Sequence, residues 1–120
     1  MNKAHAKELL KKFDFKALFL DELGWDNHEG LRTLNVGDEK FQLNAVAEKR
    51  GMAAFVCQIP DKPIDYPTRG QIEAQLAKSI REHIIIYVDR NKRFQTWQWV
   101  KREPGRPIAR REHTYAVNQS

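Results

Sequence analysis

Two short polar connections most constrain the fold of this chain, because each of them separates two stretches typical of β-strands. The three stretches are Leu31–Val36, Phe41–Ala47 and Met52–Ile59. The connections, residues 37–40 and 48–51, are short enough for hairpins, and Gly51 suits the left-handed residue that closes a type I turn with a bulge. The third stretch is apolar without alternation, which is typical of a strand covered on both faces. The sequence therefore predicts an antiparallel three-strand meander with a central third strand.

Helical patterns flank this meander. Lys3–Phe13 has the spacing of a helix, and Asp14 can cap a second one. Thr68, with Gln71 three residues later, predicts the start of a further helix that runs to about His83. Two strands forming a hairpin follow, and an edge strand after them is possible; these stretches are Ile84–Val88, Arg93–Lys101 and Arg110–His113. The pattern predicts one α+β domain over residues 1–120, in the order helix, three-strand antiparallel meander, helix, β-hairpin.

Positive charge is concentrated at the end of the chain. Residues 1–89 contain 13 Lys and Arg against 14 Asp and Glu, whereas residues 90–120 contain eight Lys and Arg against Glu103 and Glu112. A basic segment, residues 90–113, on an otherwise neutral domain is typical of a protein that binds a polyanion. A solvated basic face without function is the alternative. DNA is the expected partner.

The strand Arg93–Lys101 carries the aromatic part of the candidate DNA-binding site. Its period of two places Trp97 and Trp99 on one face with basic residues at both ends, where they could stack bases and hold phosphates. The alternative is that both indoles belong to the core. The candidate DNA-binding residues are Arg93, Trp97, Lys101, Arg102, Arg106, Arg110 and Arg111.

The single cysteine and the histidines do not indicate a catalytic or metal-binding site. Cys57 lies in an apolar strand, where an inert buried thiol is the common outcome, and the four His lack the spacing of metal ligands. No apolar run reaches the length that spans a bilayer, and residues 1–12 lack the apolar segment of an export signal. The cytoplasm is the expected location, without a membrane. Several acids at strand ends could hold Mg²⁺ or could simply be solvated, and they are Asp38, Glu39, Glu48 and Asp61.

Five stretches carry a family resemblance, and the match extends over nearly the whole chain. They are residues 15–26 (FKALFLDELGWD), 47–51 (AEKRG), 82–89 (EHIIIYVD), 97–105 (WQWVKREPG) and 111–115 (REHTY). They resemble the N-terminal domain of type IIG-like restriction–modification DNA methyltransferases, in which one chain combines restriction with adenine methylation. The order of elements is similar to that of the PD-(D/E)xK nuclease core. The resemblance implies a restriction-endonuclease-like α/β sandwich and a role in bacterial defence.

The nuclease motif that the resemblance implies is degenerate in this sequence. Asp38 or Glu39 could supply the acid of the second strand, but Gln58-Ile59-Pro60 stands where Glu-x-Lys is expected. An amide is a poor metal ligand and proline cannot orient a nucleophilic water. The degenerate candidates are Asp38, Glu39, Glu48 and Gln58, and a lysine that has migrated to Lys49 or Lys62 keeps the question open.

Three functions follow from this pattern. The first is a DNA-binding, catalytically degenerate nuclease-like domain at the N-terminus of a restriction–modification methyltransferase. The second is an active Mg²⁺-dependent DNA endonuclease domain that uses Asp38, Glu39 and Glu48. The third is a protein-interaction module that docks on the methyltransferase body through Trp97 and Trp99. The residues contain no Gly-rich cofactor loop and no Asn-Pro-Pro-Tyr motif, so no cofactor is expected in this chain. Mg²⁺ would bind only if the nuclease is active. We also expect the chain to be a domain excised from a longer parent.

Overall fold

The computed structural model describes residues 3–59, 65–102 and 109–116. Its helical segments are α1 (Lys3–Lys11), α2 (Phe15–Ala17), which continues into a π-helical turn (Leu18–Glu22), and α3 (Tyr66–Ser79). Its strands are β1 (Asp26–Val36), β2 (Glu39–Lys49), β3 (Met52–Ile59), β4 (Glu82–Asp89), β5 (Phe94–Lys101) and β6 (Ala109–Ala116). The chain is thus a mixed α+β fold, as its sequence predicts. None of the helices in the described ranges is long and apolar enough to cross a membrane.

All six strands form one sheet in the order of the sequence, β1-β2-β3-β4-β5-β6. The neighbours are antiparallel except β3 and β4, which are parallel and pair from Ala53 with His83 to Ile59 with Asp89. The connection between parallel strands must cross the sheet, and α3 makes this crossing. The predicted meander is β1 to β3, and the predicted hairpin β4–β5 is extended by β6 at the edge.

Helical layers cover the two faces of the sheet. On one face, α3 packs Ile72 and Leu76 against a cluster that includes Phe55 and Tyr87. On the other, Phe15 and Phe19 of the N-terminal helices pack on the remaining apolar side chains of the central strands, Ala47, Ala54, Ile86 and Val88. We call these the α3 face and the N-terminal face. The apolar third strand predicted from the sequence is buried from both sides, as expected of a central strand.

The turn between β2 and β3 differs from its prediction. Lys49 pairs with Met52, so the loop contains only Arg50 and Gly51, with φ of 49° and 80°. Positive φ at both central residues defines a type I′ turn, whose twist matches that of the flanking strands. Gly51 is left-handed as predicted, but the type I turn with a bulge is wrong.

Helix α3 begins earlier and ends earlier than predicted. Its N-cap is Asp65, whose carboxylate accepts a hydrogen bond from the Thr68 backbone N–H at 2.8 Å, and Pro67 occupies the first turn. Thr68 therefore lies inside the helix and does not start it. Ile80 is already extended, and His83 belongs to β4 because it pairs with Ala53 of β3.

Candidate nucleic-acid interface

The acids proposed for a nuclease site lie at the two ends of β2. Asp38 and Glu39 are exposed at its beginning, whereas Glu48 is exposed at its end. A strand rises by about 3.4 Å per residue, so Glu39 and Glu48 are roughly 30 Å apart. The Glu48 carboxylate lies 3.3 Å from Nδ1 of His28, on the neighbouring strand β1. These acids do not form one site.

Gln58 is separated from Glu48 in the same hairpin. Leu43 pairs with Cys57 and Lys49 with Met52, so Gln58 lies near the end of β3 that is remote from Glu48 and Lys49. Its exposed side chain lines a cleft of about 400 Å³ on the N-terminal face, together with Asn44. Pro60, Asp61 and Lys62 lie outside the described residues. Within the ranges described, no three His, Cys, Asp or Glu side chains are placed to hold a metal ion.

Cys57 is buried in β3, where its environment opposes ionisation. Burial raises the pKa of its thiol to about 12. The thiolate is the nucleophilic form of cysteine, and it is therefore scarce at neutral pH. Cys57 has the properties of a small core residue.

The two tryptophans of β5, Trp97 and Trp99, lie on the same face of the sheet but differ in how far they are buried. The ring of Trp97 stacks on Phe19 at a centroid distance of 5.6 Å, and its indole N–H donates to Gln95 at 2.7 Å. Trp99 lies two residues further along β5 and is 42% exposed, because it is not part of the cluster that packs against the N-terminal helices. Core packing thus describes the partly buried Trp97, whereas Trp99 is exposed.

Arg93 precedes the other end of β5. Its guanidinium donates to the buried Asp89 carboxylate at 3.0 Å, which also accepts the backbone N–H groups of Arg93 and Phe94. Burial alone would raise the pKa of Asp89, but these hydrogen bonds outweigh it and hold the pKa below its usual value. Arg93 serves the β4–β5 turn and does not join the cations at the far end of the strand.

Four cations surround the far end of β5. Lys101 and Arg111 share the face of Trp99, since Trp99 pairs directly with Arg111 across β5 and β6. Arg102 and Arg81 are joined by their backbones, with the Arg102 N–H donating to the Arg81 carbonyl at 2.8 Å, and the Arg81 Nε donates back to the Arg102 carbonyl at 3.2 Å. All four are exposed. We call Arg81, Lys101, Arg102 and Arg111 the basic corner.

Two further candidate cations are not among these four. Arg106 lies outside the described residues. Arg110 belongs to β6, where its backbone pairs with Val100.

A groove beside the basic corner is lined by Trp99 and its neighbours. It has a volume of about 250 Å³, and its lining residues are Ile84, Trp97, Trp99, Arg111, Glu112 and His113. The indole N–H of Trp99 donates to Glu82 at 2.8 Å, and the Arg111 guanidinium carbon lies 5.8 Å from the ring centroid. Arg81, Glu82, Ile84 and His113 were not among the residues singled out from the sequence. The pairing of β4 with β5 brings Glu82 and Ile84 to Trp99, and Arg81 bonds to Arg102, contacts that strand periodicity does not reveal.

Besides Glu82, which accepts from Trp99, a second acid lies at this groove, and its carboxylate is engaged on the other side of the sheet. Glu112 forms an ion pair with Arg69 of α3 at 3.4 Å, and the Arg69 guanidinium lies 5.9 Å from the ring centroid of Tyr87. Below them, the Tyr87 hydroxyl donates to the buried Glu73 carboxylate at 3.2 Å. Burial and the nearby Glu73 raise the pKa of Tyr87 well above its usual range. This network joins α3 to the edge of the sheet and neutralises Glu112 beside the basic corner.

Comparison with known proteins adds one distant structural neighbour. The sequence matches no family model, and no curated protein matches it at a significant level. A solved structure described as "Crystal structure of SSO0001" is 17% identical to this chain, with a TM-score of 0.34. The alignment covers 92% of this chain and 51% of the other, so the chain spans about half the length of that structure.

Proposed function

We propose that this chain is a DNA-binding module of a restriction–modification methyltransferase, built on a nuclease-like core without a working catalytic set. The observation that carries this proposal is the basic corner, in which four exposed cations meet at one end of β5. Arg and Lys in such a cluster bind phosphates and release condensed counterions from DNA. Backbone contacts of this kind position a protein on DNA without reading its sequence.

The sheet and the acids support the nuclease-like but inactive part of the proposal. Helix, three-strand meander, helix and strand is the order that the family resemblance implies, and the elements of this chain follow one another in that order. Asp38 and Glu48, which a metal site would have to bring together, lie at opposite ends of β2. Gln58 replaces the expected acid on β3.

The basic corner is expected to make DNA affinity steeply dependent on salt. Each phosphate contact contributes about 0.9 to the slope of log affinity against log salt, so two to four contacts give a slope of roughly −2 to −4. Replacing Lys101, Arg102 and Arg111 together by Ala should lower the size of that slope by up to about 3. Fluorescence anisotropy with a labelled duplex, titrated at a series of salt concentrations, measures both affinity and slope.

A matched variant controls for net charge. Lys3, Lys7 and Lys11 are exposed on α1, and changing all three to Ala removes the same three charges. We expect this variant to retain the wild-type slope. Equal losses of affinity in the two triple variants would show that only bulk charge matters, and the proposed interface would then be wrong.

The purified chain is expected not to cleave DNA. Incubation of supercoiled plasmid with Mg²⁺ or Mn²⁺ should leave it intact, because the separated acids cannot hold a metal against a scissile phosphate. Gel electrophoresis of the plasmid is the measurement. Nicking that disappears in Asp38→Ala or Glu48→Ala would contradict this expectation and would favour the endonuclease.

Docking on a methyltransferase body is a second candidate, which the exposure of Trp99 favours. A large exposed aromatic is typical of an interface anchor. Unlike phosphate binding, an interface centred on an indole should depend only weakly on salt. The salt series therefore separates the two candidates.

A further inference from the structure

We propose that the groove beside Trp99 binds one unpaired nucleobase, so that DNA with a single-stranded segment is the preferred ligand of the basic corner. This inference rests on the proposed function and adds the class of DNA. It starts from the groove of about 250 Å³ between Trp99, Trp97 and His113. The volume is just below the range of sites for drug-sized ligands, roughly 300 to 1,000 Å³, and fits a single heterocycle.

The lining of the groove has the chemistry that binds a base. Its lining consists of two indoles, the aliphatic side chain of Ile84 and three polar residues, Arg111, His113 and Glu112, the last of which is paired with Arg69. Bases stack on aromatic rings and on guanidinium planes, and they do so with little regard to sequence because every base has a π-face. The combination is therefore suited to stacking a base and not to reading its edges.

The stacking surface is fixed before any ligand arrives. The hydrogen bond of 2.8 Å to Glu82 holds the edge of the Trp99 indole, and Arg111 lies over the ring at 5.8 Å. A side chain already held in one orientation loses less conformational entropy on binding.

Trp97 closes the groove and cannot replace Trp99 as the stacking surface. Its ring is already stacked on Phe19 and its N–H is bound to Gln95. One exposed indole beside the cations therefore predicts one stacked base, with the exposed Lys101 and Arg102 available for the adjacent phosphates.

The base must be unpaired because a duplex hides the surface that Trp99 would contact. In a duplex each base is stacked on both neighbours, and exposing a base face costs unstacking free energy. A single strand, an overhang or a bulge offers that face without this cost. The basic corner alone would bind either form of DNA through phosphates.

The test compares three labelled DNAs of the same sequence at low salt: a single strand, a full duplex, and the duplex with a single-stranded overhang. Stacking of one base corresponds to roughly a 5- to 100-fold change in affinity. We expect wild-type protein to bind the strand and the overhang more tightly than the duplex by a factor in that range. Trp99→Ala should bring the ratio of affinities close to one, and Trp99→Phe should retain part of the preference.

Leu31→Ala is the matched control, because Leu31 is a large apolar residue, 60% exposed, on the opposite edge strand β1. It should leave the affinities for all three DNAs at their wild-type values. Equal binding of strand and duplex by wild-type protein, or an unchanged ratio in both Trp99 variants, would overturn this inference and leave the proposed function standing. Absence of binding to all three DNAs would overturn both.

Discussion

Phe19→Ala is expected to lower the free energy of unfolding by about 3–5 kcal/mol, the range for removing a large aromatic side chain from a core. Phe19 is fully buried and stacks on Trp97, and its ring centroid lies 4.7 Å from that of Trp25. The cavity would open between the N-terminal helices and the sheet, where no other layer could fill it. Equilibrium unfolding in urea gives the loss directly.

The exposed Leu31 provides the comparison for this variant. Leu31→Ala also removes an apolar side chain, but one that is 60% exposed, so its cost should stay within about 0.5 kcal/mol. A loss of less than about 1 kcal/mol for Phe19→Ala would mean that the N-terminal helices are not an integral layer of the domain.

Acidification is expected to destabilise the domain between pH 6.5 and 4 because of His83. The His83 side chain is fully buried on the α3 face of β4, and neither ring nitrogen has a hydrogen bond of good geometry among the described residues. Burial lowers the pKa of His83 from 6.5 to about 4, against a smaller opposing effect of the Ile80 backbone. The folded state therefore binds fewer protons than the unfolded state in this window, and stability falls as the pH falls.

The size of the effect follows from the two pKa values. A difference of about 2.5 pH units corresponds to about 3 kcal/mol, lost progressively below pH 6.5 and fully lost below pH 4. Urea unfolding at a series of pH values measures this loss. The lowered pKa values of Asp65 and Asp89 act in the same direction but below their ordinary value of 3.8, and so they do not account for a loss above pH 4.

Substituting His83 tests whether this residue causes the loss of stability on acidification. His83→Met should flatten the profile between pH 6.5 and 4, whatever it does to stability at neutral pH. Leu31→Ala, which removes an exposed side chain without a titratable group, should leave the shape of the profile unchanged. A wild-type profile that is already flat in this window would show that His83 is solvated or hydrogen-bonded in solution.

Local pattern was sufficient to predict most of the architecture. The strand order of the meander and the left-handed Gly51 depend on residues close in the sequence, and both are found in the structure. The start of α3 was not predicted, because Thr68 and Gln71 mimic a capping box while Asp65 makes the cap. The first half of β1 was also missed, since residues 26–30 are polar and owe their extended form to pairing with β2.

The candidate site was less predictable, because its residues meet only through tertiary structure. Period-two alternation places Trp97 and Trp99 on one face, but it cannot tell that Phe15 and Phe19 cover the first and not the second. Arg81, in the connection that follows α3, and Glu82, the first residue of β4, reach the same end of β5. The sequence also does not show that Arg93, although part of the basic segment, is paired with Asp89 at the end of β5 opposite the basic corner.

The single parallel pair in the sheet has a consequence for how the chain acquires its structure. The β1–β2 and β2–β3 hairpins close through two-residue turns, whereas Ala53 and His83, partners across β3 and β4, are 30 positions apart. Closing the longer loop costs more chain entropy and comes later than hairpin formation. Phe19 on one face and Leu76 on the other pack over clusters that contain residues of both β3 and β4. The two helical layers thus hold β3 against β4, the pair of strands that hairpin formation cannot bring together. We expect the helices to dock and the two parts of the sheet, β1–β3 and β4–β6, to join in a single cooperative step.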